Sequence, residues 1–259
     1  MQDNFICKSY DFAPDVTNIT FKPAGGGFNQ KGGIGSAPIM YRGGNINIQT
    51  HPLVSAFGYS DGQGQMYKAD PSLTFNLKRN NTQDRAFMEG LTKLEDLIVQ
   101  TAYDKRVEWN LFGNNRNADK ATIADVRAKF VPILRRDKDD KYPPSFKVSF
   151  NTKRESGLIL TECVNENGDK IIPSVATMPK RSKNVLDLQA KCVWISGDGK
   201  FGLKFKMQKV QVFPEDEEQA RRVNDEEDDD TTILGSVQKD RPKLGSGKCL
   251  LKDDSDEDD

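Results

Sequence analysis

Residues 185–213 read VLDLQAKCVWISGDGKFGLKFKMQKVQVF. Two runs rich in β-branched and aromatic residues, Val185 to Ile195 and Phe201 to Phe213, flank the turn Ser196-Gly197-Asp198-Gly199-Lys200, and this predicts a long hairpin. On the second run Phe201, Leu203, Phe205 and Met207 share one face, with Lys204 and Lys206 on the other, as the two-residue period of a strand requires. The apolar parity then passes to Val210 and Val212, which predicts a β-bulge near Gln208-Lys209. Bulged, strongly curved strands suit a small closed barrel.

Upstream of the hairpin, Phe146, Val148 and Phe150 alternate with Lys147 and Ser149, a strand with one greasy and one polar face. Gly157 to Val164 and Lys170 to Ser174 are expected to pair around Asn167-Gly168, a strong short-turn signal. One long helix is expected from Thr82 to Arg106, with Asn81 or Thr82 as N-cap; Phe87, Leu91, Leu94, Ile98 and Ala102 form its apolar stripe. A shorter helix opens at Thr122, where Asp125 has capping-box spacing, and stops before Pro132. The first eighty residues hold brief strands at Ile19 to Lys22, Ile39 to Arg42, Asn45 to Gln49 and Ser72 to Lys78. Between the first two lies the glycine-rich stretch Pro23 to Gly35. That stretch lacks the Gly-Lys-Ser/Thr ending of a phosphate loop and reads as a mobile loop. The expected class is α+β and β-dominated, a barrel covered by one long helix.

The net charge of −1 conceals a partition. Residues 1–213 carry 31 Lys+Arg and 22 Asp+Glu, a balance of +9, whereas residues 214–259 carry 7 and 17, a balance of −10. The second segment has no aromatic residue and no hydrophobic period, so it is expected to be a disordered acidic tail on a folded body of residues 1–213. Such segregation points to a body that binds polyanions. A tethered polyanion is held near the body at an effective concentration on the order of millimolar, enough to compete for the same surface. A tail that only confers solubility is the plainer alternative.

Four cysteines without a CxxC pair and a single histidine signal neither a zinc site nor a disulfide framework. No cofactor is expected. No run reaches the length of a membrane span, and the first ten residues lack a secretory pattern, so an unsecreted protein with no membrane partner is expected. Pro179-Lys180-Arg181-Ser182-Lys183 is an exposed basic loop and only a weak import signal, leaving the host-cell cytoplasm and nucleus both open as locations. Catalytic chemistry has little support. His51, before Pro52, has no evident triad context and reads as a surface or turn histidine; Glu95-Asp96 and Asp137-Asp139-Asp140 make poor metal clamps.

Holding a single nucleic-acid strand asks for cations along a groove and rings on which bases stack. Tyr142, Phe146, Phe150, Trp194, Phe201 and Phe205 interleave with Lys147, Lys153, Arg154, Lys191, Lys200, Lys204 and Lys206, and Lys78 and Arg79 add charge at the end of an earlier strand. Phe146, Phe150 and Phe205 also fit a barrel core. Trp194 and Phe201, flanking the turn, are the rings expected at the surface. The candidate nucleic-acid-binding set is therefore Lys78, Arg79, Tyr142, Lys147, Lys153, Arg154, Lys191, Trp194, Lys200, Phe201, Lys204 and Lys206.

Four segments occur in order: Leu94 to Trp109; Thr122 to Arg135, with Phe130-Val131-Pro132-Ile133-Leu134; Lys141-Tyr142-Pro143-Pro144-Ser145-Phe146-Lys147-Val148; and Cys192-Val193-Trp194-Ile195 followed by Gly199-Lys200-Phe201-Gly202-Leu203-Lys204-Phe205-Lys206. Over roughly residues 80–213 this pattern resembles the single-stranded-DNA-binding proteins of nucleocytoplasmic large DNA viruses, a group similar to the replication single-strand binders of short-tailed bacteriophages. The resemblance implies an OB-fold-like barrel elaborated by a long helix, acting on single-stranded DNA in viral DNA replication and recombination. It also implies tail contacts with a viral DNA polymerase, helicase or primase. A homodimer through the helix stripe is compatible with the pattern but not required by it. The chain ends Asp256-Glu257-Asp258-Asp259, so the terminal aromatic ring of the phage tails does not carry over. The rival reading from another class is an acidic-tailed chaperone for basic proteins such as histones; a nuclease stands third.

Overall fold

The computed structural model describes residues 5–12, 18–21, 35–62, 69–112, 118–139, 141–153 and 155–214. The glycine-rich stretch apart from Gly35, Arg154, and the acidic segment apart from Pro214 lie outside them. In chain order the elements are β1 (Phe5–Lys8), a single 3-10 turn (Ser9–Asp11), β2 (Ile19–Phe21), β3 (Gly35–Tyr41), β4 (Ile46–Gln49), β5 (Leu53–Val54), β6 (Ser72–Asn76), α1 (Thr82–Asp104), α2 (Ile123–Lys129), β7 (Leu134–Arg135), β8 (Ser145–Phe150), β9 (Glu162–Val164), β10 (Lys183–Ile195) and β11 (Phe201–Phe213). The fold is α+β and dominated by strands.

The expected hairpin is the spine. One edge of β10 pairs antiparallel with β11 along its whole length. Its other edge receives β3 at Cys192 to Ile195, β4 at Asp187 to Ala190 and β5 at Lys183 and Asn184. β11 passes its free edge in parallel to β8 and β9, and β8 pairs antiparallel with β6. Isolated bridges Ser55↔Phe75 and Ser60↔Ser72 then join the chain after β5 to β6, closing the ring β5–β10–β11–β8–β6. Closure removes the free edges that an open sheet would present. Val131 N–H donates to the Phe201 carbonyl, and Leu134 and Arg135 pair with Phe146 and Ser145, so residues 130–135 fill the gap where β11 and β8 diverge.

Two register shifts bend the spine. Asp187 faces Lys209 while Leu188 faces Met207, leaving Gln208 as the extra residue of β11, where the parity of the sequence changes. The second was not legible beforehand. Ala190 faces Phe205 and Cys192 faces Lys204, so Lys191 is the extra residue of β10. Strict alternation from Leu186, Leu188 and Ala190 would send Cys192 and Trp194 into the barrel; the bulge sends Val193 and Ile195 there instead, both buried, and leaves Trp194 on the outer face.

Inside the ring Leu73, Phe75, Phe146, Val148, Phe150, Leu188 and Met207 are buried, and Phe146 meets Phe205 edge-on at 5.8 Å between centroids. Helix α1 lays its stripe on this core. Asn81 caps it, the side-chain oxygen accepting from the N–H groups of Gln83 (2.8 Å) and Asp84 (3.0 Å). Phe87, Leu91, Leu94, Ile98 and Ala102 are all fully buried, each large side chain contributing about 1.5–3 kcal/mol. Gly90 permits a close approach: a Cβ there would stand 2.0 Å from the Phe12 carbonyl oxygen. Helix α2 has the expected capping box between Thr122 and Asp125.

The hairpin expected around Asn167-Gly168 is short: Gly168 takes φ +87°, Val164 bridges Lys170 on the edge of β9 away from β11, and Ile171 N–H donates to the Cys163 carbonyl at 2.9 Å, but residues 172–174 form no strand.

Candidate nucleic-acid interface

The outer face of the hairpin carries the cations. Trp194 lies opposite Ser36 on one side and Gly202 on the other. Its indole leans over Gly202: a Cβ at that position would sit 3.0 Å from Cζ2 and 3.1 Å from Cε2. Glycine is therefore the residue that lets the ring lie flat along the sheet while part of it stays at solvent. One step along, Cys192 faces Lys204. Burial pushes the Cys192 thiol above its ordinary value, against the opposing pull of Lys204 and Lys191, so both ammonium groups lie within electrostatic reach of the sulfur. By register Trp194 and Lys204 share the outer face of the hairpin, and exposed Lys191 stands at the bulge next to them. Lys147 faces outward from β8, half-buried. Exposed Arg135, paired through its backbone with Ser145, joins the same face from the 130–135 segment. Its only sequence signal is the Arg135-Arg136 doublet.

Two expected contacts are corrected. Phe201 is fully buried, its ring packed on Phe130 at 5.4 Å, because the bridge Phe130↔Phe201 closes segment 130–135 over it. It is core and cannot stack on a base. Lys206 is buried as well, and its Nζ donates to Asp70 Oδ2 and to the Phe150 carbonyl, both at 2.7 Å. Lys204 Nζ reaches the same Asp70 oxygen at 3.2 Å. Burial pushes the Asp70 carboxyl up, but Lys206 and Lys204 outweigh it and hold it below its ordinary value. Burial pulls the Lys206 ammonium below its usual value, opposed by Asp70. Lys206 is spent on structure, whereas Lys204 stays half-exposed.

The remaining candidates are dispersed. Tyr142 stands 61% exposed in the turn before β8, with Lys141 Nζ 5.4 Å from its ring centre. Lys191 and Lys200 are exposed, the latter pairing with Asp198 at 3.1 Å. Hydrogen bonds from Ser196 and Lys200 lower the Asp198 carboxyl to about 2, fixing the hairpin turn. Lys153 lines a cavity of about 440 Å³ shared with Asp61, Asp70 and Glu155, an acidic setting. Lys78 is exposed after β6, its backbone N–H bound by Asp84 Oδ2 at 2.6 Å; Arg79 lines a separate groove along α1.

His51 is neither a surface nor a turn residue. It is 5% exposed, with Nδ1 2.8 Å from Ser9 Oγ and Nε2 2.5 Å from Asp84 Oδ1. This is the order of a Ser-His-Asp triad. However, Ser9 is fully buried and its Oγ already accepts the His51 N–H at 2.9 Å, so no substrate carbonyl could reach it. The chain of bonds ties the 3-10 turn and the strand ends to the first turn of α1.

Among the described residues no cluster of His, Cys, Asp and Glu could hold a metal ion, and no helix is long and apolar enough to cross a membrane. No family model matches the sequence, and no curated protein does. Among solved structures, the chain is similar to gp2.5, a single-stranded DNA binding protein encoded by bacteriophage T7, with a TM-score of 0.44 and 9% identity over 75% of this chain and 100% of that one. It is also similar to the single-stranded DNA-binding protein of bacteriophage Enc34 in complex with ssDNA, with a TM-score of 0.39 and 9% identity over 76% of this chain and 97% of the other. A C-terminal truncation of the Enc34 protein gives a TM-score of 0.39 and 11% identity over 76% and 96%.

Proposed function

We propose that this protein coats single-stranded DNA, binding it across the outer face of the β10–β11 hairpin with little sequence preference. The observation that carries this reading is the partly exposed indole of Trp194, seated on Gly202, with Lys204 on the same face of the hairpin and exposed Lys191 at the adjoining bulge. A base stacks on the indole while the two ammonium groups, with Arg135 and Lys147, take adjacent phosphates. Tyr142 extends the stacking path. Stacking contributes about 1–3 kcal/mol per base and is tolerant of sequence. Residues 214–259, with a charge of −10, compete with DNA for this face and become available to replication proteins when DNA displaces them. The resemblance in the sequence supports a role in viral DNA replication and recombination.

The test is an anisotropy titration of dye-labelled oligo(dT) with the full chain and its variants, and in the parent tryptophan fluorescence gives a second readout. Trp109 is buried, so quenching on binding reports Trp194. Trp194→Ala is expected to weaken binding about tenfold or more, and affinity should fall with salt at about −0.7 in log-log slope per phosphate contacted. Deleting residues 214–259 should tighten binding. Unaltered affinity in both Trp194→Ala and Lys204→Glu would overturn the reading.

A further inference from the structure

A second cationic feature lies apart from the hairpin. Arg85, Glu89 and Lys93 recur at helical spacing on α1, on the side away from the buried stripe, with half-buried Met88 between them and the core. Together with Arg79 after β6, Pro144 before β8 and Arg136 after β7, they enclose a groove of about 760 Å³. Among the described residues four cations rim it, against the one carboxylate of Glu89. The floor is apolar: half-buried Met88, buried Pro144, and the aliphatic stems of the rim. Trp194, Lys191 and Lys204 are not among its lining residues.

The chemistry of this groove differs from that of the strand-binding face. Among the described residues no aromatic ring lines it, so they offer a base nothing to stack on. Three of the four cations are arginines, whose planar forks grip carboxylates in pairs of hydrogen bonds. The methionine supplies a floor that adapts to differently shaped apolar side chains. We infer that this groove is a docking site for an acidic segment of a partner protein, one that sets an aliphatic or aromatic side chain on Met88 and Pro144 and directs its carboxylates to Arg79, Arg85, Lys93 and Arg136. This assigns Arg79 to a protein partner rather than to DNA.

The probe is a labelled peptide of about twelve residues, aspartate and glutamate throughout except for two central leucines, read by fluorescence anisotropy against the full chain. Arg85 and Lys93 are exposed, so Arg85→Glu/Lys93→Glu leaves the core intact, and its circular-dichroism melt verifies that. Reversing two of four cations is expected to weaken the peptide about tenfold. Oligo(dT) affinity should stay within about twofold of the parent. Binding that survives replacement of both leucines by serine, or no binding at all, overturns the proposal. So does a double variant that loses oligo(dT) as fully as peptide, which would make the groove part of the strand path. Failure of oligo(dT) to bind the parent chain would refute the proposed function and leave this inference standing.

Discussion

Replacing Asp70 by asparagine tests the structural role of the hairpin lysines. The carboxylate receives Lys206 at 2.7 Å and Lys204 at 3.2 Å, and the Lys206 side chain is only 9% exposed. Asp70→Asn keeps the shape but leaves a buried ammonium whose other partner is the Phe150 carbonyl. Removing one partner of a fully buried pair costs about 3–5 kcal/mol. The Asp70 side chain is 36% exposed, so screening reduces the expected loss to about 2 kcal/mol. For a body of this size that lowers the melting temperature by about 4–8 °C, read by circular dichroism at neutral pH. Asp70→Asn/Lys206→Met removes both charges and should recover most of the loss. The folded carboxyl titrates below its unfolded value, so its stabilisation is complete above about pH 4 and disappears as pH falls through the lower folded value; parent and Asp70→Asn melts should converge there. A variant melting within about 1 °C of the parent at neutral pH would refute the reasoning.

Two further substitutions test the parts that hold the proposed binding face in place. Glu95, buried on α1, accepts the N–H groups of Ile133 (2.5 Å) and Leu134 (3.2 Å), anchoring the segment that carries Arg135. Glu95→Ala orphans both donors and should cost about 2–4 kcal/mol in urea unfolding, whereas Glu95→Gln retains an acceptor and should cost less than about 1 kcal/mol. Gly90→Ala drives a Cβ into the Phe12 carbonyl; despite a helix-propensity gain of about 1 kcal/mol, the melt should show a net loss of about 1–3 kcal/mol.

Local patterns made much of the architecture legible. Residues Thr82 to Arg106 announced α1 because a cap and a 3.6-residue stripe are local properties, and the helix runs to Asp104 with Asn81 as its cap. The bulge at Gln208 was legible because the apolar parity of β11 changes there. Phe201 misled for a corresponding reason. Its place beside a turn suggested exposure, but burial came from Phe130, distant in sequence, folding over it. Lys206 likewise looks like its neighbour Lys204 until Asp70 is brought beneath it. His51 gave no sign of its partners because Ser9 and Asp84 lie 42 and 33 residues away.

The sequence by itself determined the class of fold, the long hairpin, the capped helices and the segregation of charge between residues 1–213 and 214–259, since each depends on side-chain periodicity, turn chemistry or charge counted along the chain. Only the tertiary structure decided which rings and lysines face outward. That choice rests on the extra residue at Lys191, which reverses the parity of β10 and brings Trp194 to the surface over Gly202. A strand's face is fixed by pairing with partners remote in sequence, and a one-residue shift in register exchanges inside for outside.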